Sequence, residues 1–322
     1  MEWDELKAVI LAGGPARVTG RPVGEFLAVS VAGPGAGGEG SVFFSTGNRR
    51  VRIPLGGGGD LVLDHLGDGK VILRVGAETF EGRLEPVALH CPRQAYITVS
   101  GGCIYHCRYC RVPFLGGRRK SVAEIREMVE KVRDRIDAIS ITSGVASDPE
   151  EEEEYVISVI RALKVFSVPI GVSIYPVAGT PDRLRAEGVT EVKFNVETAT
   201  DEIFRTMCPG LDRQEIIRVL ARSVELFGRN RVYSNVIIGL GETDREMESC
   251  VRELASMGVI PVLRPLNPDG ELAGWPRPPA ERLLRLFRVH RRILNEEGLD
   301  PCRAVTMCSA CTGCDLAPGR DA

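Results

Sequence analysis

Three cysteines, Cys103, Cys107 and Cys110, fall within eight residues of the stretch GGCIYHCRYCRV, at intervals of four and three. Intervals this short let one loop wrap three corners of an iron–sulfur cube, whose four irons ordinarily take four thiolates. Three thiolates leave one iron open, as catalytic metal sites leave a position for substrate. An open, redox-active iron can bind a chelating ligand and pass it an electron. A second group near the end, PCRAVTMCSACTGCDL, supplies a complete set: Cys308, Cys311 and Cys314, with Cys302 six residues upstream. Four thiolates suit a second [4Fe-4S] cluster, and structural zinc is the competing occupant, as it is for the first group with His106 completing the set. Cys91, Cys208 and Cys250 stand alone and read as small buried hydrophobes. Whether Cys91, which lies just ahead of a strand, approaches either cluster is not decided by spacing.

The elements that must position these residues change character along the chain. Residues 1–92 are rich in glycine (GPGAGGEG, LGGGGD) and carry alternating runs such as RRVRIPL, LVLDHL and KVILRV. These predict short antiparallel strands in a small accessory domain. Residues 93–297 alternate strand and helix. Strands are predicted at 95–100, 138–143, 169–175, 191–197, 232–239 and 259–265, with helices at 121–135, 150–166, 181–187, 213–228, 243–257 and 279–297. Six such units imply an α/β chain built on a partial (β/α)6 barrel, with chemistry at the C-terminal ends of its strands. The three-cysteine loop follows the first strand directly, at that end. Residues 298–322 form a cluster-binding tail.

In this setting CIYHCRYC resembles the CxxxCxxC loop of the radical S-adenosylmethionine superfamily, including the aromatic Tyr109 before the last cysteine. The resemblance implies a [4Fe-4S] cluster on Cys103, Cys107 and Cys110 whose open iron binds S-adenosylmethionine and cleaves it to a 5′-deoxyadenosyl radical. Further matches lie at strand ends. ITSGV resembles the segment that holds the cosubstrate's amine, which implies that role for Ser143 and Gly144. NVIIGLGE resembles the GxIxGxxE pattern near adenine, through Ile237, Gly239 and Glu242, with Asn235 where the first glycine usually stands. FNVETATDEIFRTMCPG resembles a segment of lipoyl and biotin synthases, and implies that Asn195 and Glu197 face the ribose and amino-acid portions.

By the same resemblance the tail cysteines Cys302, Cys308, Cys311 and Cys314 hold an auxiliary [4Fe-4S] cluster facing the barrel mouth, with Arg303 or Arg264 assisting. In biotin and lipoyl synthases such a cluster is the sulfur source. Ordinary lipoyl synthases carry their auxiliary cysteines N-terminally, and biotin synthase draws its ligands from barrel strands; neither arrangement is present here. The pattern is similar instead to two-component lipoyl synthases. The implied reaction is sulfur insertion into an octanoyl-lysine on a lipoyl-carrier protein or peptide, with a second lipoyl synthase subunit and an electron donor such as ferredoxin as partners. The alternative is a radical enzyme of another cofactor-building or peptide-modifying pathway, with the auxiliary cluster as substrate anchor or electron relay.

Bulk properties narrow the field. In 322 residues, 43% are hydrophobic and 26% charged, with a net charge of −3. That is a globular composition with no basic field for nucleic acid or a membrane surface. No apolar run long enough to span a bilayer and no signal peptide is read, so a cytoplasmic protein is expected.

Overall fold

A computed structural model describes residues 1–29, 40–57, 60–114 and 116–321. Most of the GPGAGGEG stretch and part of LGGGGD, both read as turns, lie outside the described residues. The chain opens with a helix that the strand-rich reading of residues 1–92 did not include, α1 (Trp3–Gly13), closed at its start by a reciprocal Glu2–Glu5 capping box. Its buried face, Trp3, Leu6, Lys7 and Ile10, recurs at helical spacing.

Six strands follow: β1 (Arg17–Gly20), β2 (Ser41–Thr46), β3 (Arg49–Pro54), β4 (Leu61–Gly67), β5 (Lys70–Val75) and β6 (Glu78–Leu84). They pair in the order β1-β4-β5-β6-β2-β3. A parallel bridge from Ala16 to Leu55 brings the last strand back to the first. The sheet thus curls around a core of Val42, Phe44, Val51, Ile53, Leu63 and Leu73. Asp68 and Gly69 turn β4 into β5, both with positive φ, as a two-residue hairpin turn demands.

The second sheet holds β7 (His90–Cys91), β8 (Gln94–Thr98), β9 (Ala138–Thr142), β10 (Ile170–Ser173), β11 (Glu191–Lys193), β12 (Val232–Ile238) and β13 (Ile260–Pro265), side by side in sequence order. β8 through β13 run parallel, and β7 is a short antiparallel hairpin arm on β8. Between them lie α2 (Val122–Glu130), α3 (Pro149–Leu163), α4 (Thr180–Ala186), α5 (Asp201–Met207), α6 (Arg213–Phe227) and α7 (Asp244–Ser256), and α8 (Ala280–Glu296) follows β13. This is the expected partial barrel. β10 and β11 are shorter than their apolar runs suggested, and α5, started by Thr200, fills a segment read as loop.

Alternation along the strands decides what the barrel encloses. Ala95, Ile97, Ile139, Ile141, Val192, Phe194 and Val196 join the core shared with the helices. The intervening Tyr96, Thr98, Ser140, Thr142, Lys193, Asn195 and Glu197 take the opposite face. The barrel interior is therefore polar.

On α8, His290 is 2% exposed, and burial lowers its pKa to about 4. The unfolded chain, with an ordinary imidazole, binds this proton first as pH falls. The contribution from neutral burial is complete above about pH 6.5 and is lost progressively down to about pH 4, about 3 kcal/mol in all. His290→Leu is expected to flatten the fall in stability between pH 6.5 and 4, as urea midpoints across that range would report. Among the described residues no helix is long and apolar enough to cross a membrane.

Candidate metal and cofactor site

The loop after β8 is braced from below. Ser100 Oγ and Ser143 Oγ both donate to Glu152 Oε1, at 2.7 and 2.6 Å, and Arg119 pairs with the other oxygen at 2.7 Å. Ser143 Oγ also accepts from the Ser100 amide at 2.9 Å. The Ser143 hydroxyl thus positions the loop. Gly144 behaves differently. A Cβ there would collide with the Gly102 carbonyl oxygen and lie 3.1 Å from Cys103 Cβ. The next amide, of Val145, reaches Cys103 Sγ at 3.4 Å. The glycine lets the second βα loop lie directly against the cysteine loop.

Cys103, Cys107 and Cys110 are each half-buried. Burial pushes the Cys110 thiol up to about 12, opposed by the Val112 amide and reinforced by repulsion from Cys107, Glu197 and Cys103. Three thiolates on one loop, under a glycine cradle that admits no side chain, fit the open-cornered cluster. Cys208, which the sequence presented as an isolated core residue, lies beside Cys107 and 3.6 Å from Tyr109 Oη.

Glu197 joins this loop to the barrel interior. It is half-buried, sits at φ 59°, and its backbone continues β11 by bridging to Val236. Burial raises its pKa to about 7, against the pull of Lys193, Asn195, Tyr109 and Arg264. Asn195 Oδ1 accepts from the Asn235 amide at 3.1 Å, while Asn235 Oδ1 is buried without a partner among the described residues. Asn195, Glu197 and Tyr109 thus lie near one another. Ile237 is a core residue, its amide donating to Glu197 O at 2.8 Å. Gly239 (φ 108°) lies where a Cβ would be 3.1 Å from Pro278. Glu242, buried, accepts from the Gly239 and Leu240 amides at 2.8 Å and pairs with Arg282. It shapes its own loop.

The tail enters the barrel from the end opposite the cysteine loop, contrary to the expectation that it faces the catalytic mouth. Glu191, at the start of β11 and fully buried, accepts from the Val305 and Thr306 amides and from Thr306 Oγ1 (2.6 Å). Gln94, first in β8, donates to Met307 O at 3.0 Å, and Ser140 Oγ accepts from the Met307 amide at 2.8 Å. The short α9 (Met307–Cys311) then directs Cys308 inward. Its sulfur lies 3.7 Å from Lys193 Nζ and 3.8 Å from Tyr96 Oη. From Gly313 the tail pairs with β3 (Arg52 N to Gly313 O, 2.7 Å), and Lys7 holds Thr312 O and Asp321. The first sheet and α1 therefore close over the tail.

Cys302 does not join the other tail cysteines. It is exposed on a short turn capped by Asp300, beside Gly319, and the charges around it are those of Asp300, Arg320 and Asp321. Arg303 is also exposed, whereas Arg264 is 2% exposed and acts on Cys308, Cys311 and Cys314. Among the described residues no three His, Cys, Asp or Glu side chains close on one point as a single ion requires.

Residues 97–254 match the family profile described as the radical SAM superfamily. Lipoyl synthase from Corynebacterium kroppenstedtii is 30% identical over 201 residues, 58% of this chain and 56% of that protein. The ribosomal protein uS12 methylthiotransferase RimO from Dictyoglomus thermophilum is 24% identical over 171 residues, 48% of this chain and 39% of its own length. The crystal structure of HydG, a maturase of the [FeFe]-hydrogenase, superposes with a TM-score of 0.53 at 20% identity, over 62% of this chain and 50% of that one. Each match spans well under two thirds of the other protein's length, and the last speaks for the fold alone.

Proposed function

This chain carries a radical SAM domain in residues 97–254, and from that premise we propose that it inserts sulfur into an octanoyl-lysine substrate as a component of a lipoyl synthase. The observation that carries the reading is the polar column inside the barrel. Lys193, Asn195 and Glu197 alternate along one face, and four residues of extended chain span about 13 Å. At one end the column meets Cys308. At the other it meets Tyr109 and the field of Cys107 and Cys110. A substrate held between would have a thiolate centre on either side.

A [4Fe-4S] cluster held by Cys103, Cys107 and Cys110 would supply the electron for cleavage of S-adenosylmethionine, and one held by the tail thiols would supply the sulfur. The protein's own residues do the rest. Asn195 and Glu197 offer an amide and a carboxylate to the ribose and ammonium of the cosubstrate. Gly144 keeps the floor of that site free of side chains. The tail and the first sheet close the far end of the barrel, which excludes water from a carbon radical. The similarity to lipoyl synthase and the FNVET stretch support the octanoyl substrate, borne on a lipoyl-carrier protein and reduced through a ferredoxin-like donor.

The test is anaerobic incubation of the reconstituted chain with S-adenosylmethionine, reductant and an octanoyl-lysyl peptide, following 5′-deoxyadenosine and peptide mass together. The expected result is 5′-deoxyadenosine with a peptide heavier by sulfur. One sulfur would call for a second synthase subunit; two would mean that this chain acts alone. If 5′-deoxyadenosine forms while the peptide is unchanged, the substrate belongs to another radical pathway and the tail centre serves as anchor or relay.

A further inference from the structure

The fourth thiolate of the tail centre lies in the hairpin before the first barrel strand. We propose that Cys91, together with Cys308, Cys311 and Cys314, ligates the auxiliary iron–sulfur cluster, and that Cys302 takes no part. The inference rests on the reading of the tail as a cluster site and assigns its ligands.

Cys91 is 1% exposed and packs against Cys311 in a small core with Ala28 and Phe43. Cys311, Cys308 and Cys314 all lie within its electrostatic reach. Cys302 is instead exposed beside Gly319, with Asp300, Arg320 and Asp321 around it. The hairpin is bent to achieve this: His90 and Arg93, on either side of Cys91-Pro92, both take positive φ, 70° and 59°. Two non-glycine residues in the left-handed region are a cost that surrounding structure must sustain, and such residues gather at functional sites.

The walls of the site are built for negative charge. Arg264, 2% exposed, leaves Nε and Nη2 without a hydrogen-bond partner among the described residues, and its nearest carboxylate, Asp315, is 3.8 Å away. Lys193, also 2% exposed, reaches Cys308 Sγ with Nζ. Buried cations this thinly partnered are costly unless an anion faces them. Four thiolates around a [4Fe-4S] core carry net negative charge and would meet both.

The experiment uses the full chain, anaerobically reconstituted, in two backgrounds: native, and with Cys103, Cys107 and Cys110 all replaced by alanine so that only the tail site is read. Iron and sulfide per chain and the EPR spectrum of the reduced protein are measured for Cys91→Ala, Cys91→Ser, Cys302→Ala and Cys308→Ala. Cys91→Ala and Cys308→Ala are expected to lose one cluster's iron in the native background and nearly all of it in the other. Cys302→Ala should keep both clusters and an unaltered spectrum. Cys91→Ser retains an oxygen ligand and should keep part of the iron with a shifted spectrum, so a folding defect of the alanine variant would not hide the answer. The proposal is overturned if Cys91→Ala keeps its iron, or if Cys302→Ala loses the cluster. Zinc in the site, lost with Cys91, would overturn the cluster and the sulfur-donor reading while upholding the four ligands. An unmodified peptide beside two intact clusters would defeat the octanoyl reading alone.

Discussion

Replacing Cys107 with alanine should abolish 5′-deoxyadenosine formation, to the level of a protein-free control, and remove one cluster's iron from the reconstituted chain. The expectation follows from the loop's geometry. Cys107 is the middle of the three thiols, and the Cys110 amide donates back to its carbonyl at 2.9 Å. With three thiolates there is no spare ligand to compensate, and the open iron needed by the cosubstrate disappears with the cluster. Cys250→Ala is the control. That thiol is buried on α7, 3.9 Å from Thr198 O, so its removal should leave both clusters and the activity intact. Iron content and a chromatographic assay of 5′-deoxyadenosine check both variants.

A second large effect is expected at Glu191. Its carboxylate, fully buried, receives two tail amides and one tail hydroxyl and pairs with Arg231 at 2.7 Å. Deleting the carboxylate removes three hydrogen bonds to a buried charged acceptor, each worth about 1.5–3 kcal/mol, while Arg231, a third exposed, is left to solvent and adds less. Most of the lost contacts belong to residues 305 and 306, just ahead of Cys308. Glu191→Ala should therefore destabilise the tail selectively: the auxiliary cluster fails to assemble while the cluster of Cys103, Cys107 and Cys110 persists. Uncoupled 5′-deoxyadenosine formation without modified peptide is the expected readout. Glu191→Gln, which keeps the shape and some acceptor capacity, should be milder. Equal loss of both clusters would mean that Glu191 supports the barrel rather than the tail.

Much of this was legible in the residues. Apolar runs of β-branched residues separated by amphipathic stretches gave the barrel strands, because strands buried on both faces need such runs and covering helices need one apolar stripe. The cysteine loop could be placed at the catalytic end because it directly follows β8. What escaped was long-range. Cys91 and Cys308 are more than 200 positions apart, and nothing in local spacing relates an edge hairpin to a tail that returns beneath the barrel. Cys302, nearer in sequence, was the natural fourth ligand, but the extended segment ending at Thr306, anchored on Glu191, carries the chain away from it. Ser143 looked like a cosubstrate contact because of its neighbours, whereas Glu152, nine residues on, draws its hydroxyl into the brace of the loop. Lys193 and Arg264 carried a signal: a cation within an otherwise apolar buried strand needs an anionic partner. The partner was in the tail.

The central claim is that the thiolate centre at the closed end of the barrel is the sulfur source for a carbon radical generated at the open end. The most direct measurement is a single turnover by protein reconstituted with heavy-isotope sulfide, with the octanoyl-lysyl peptide analysed by mass spectrometry and the auxiliary cluster followed by EPR. The account predicts a peptide carrying the heavy isotope and loss of the auxiliary signal in step with it. Formation of 5′-deoxyadenosine with the auxiliary cluster intact and no heavy sulfur in the peptide would contradict it.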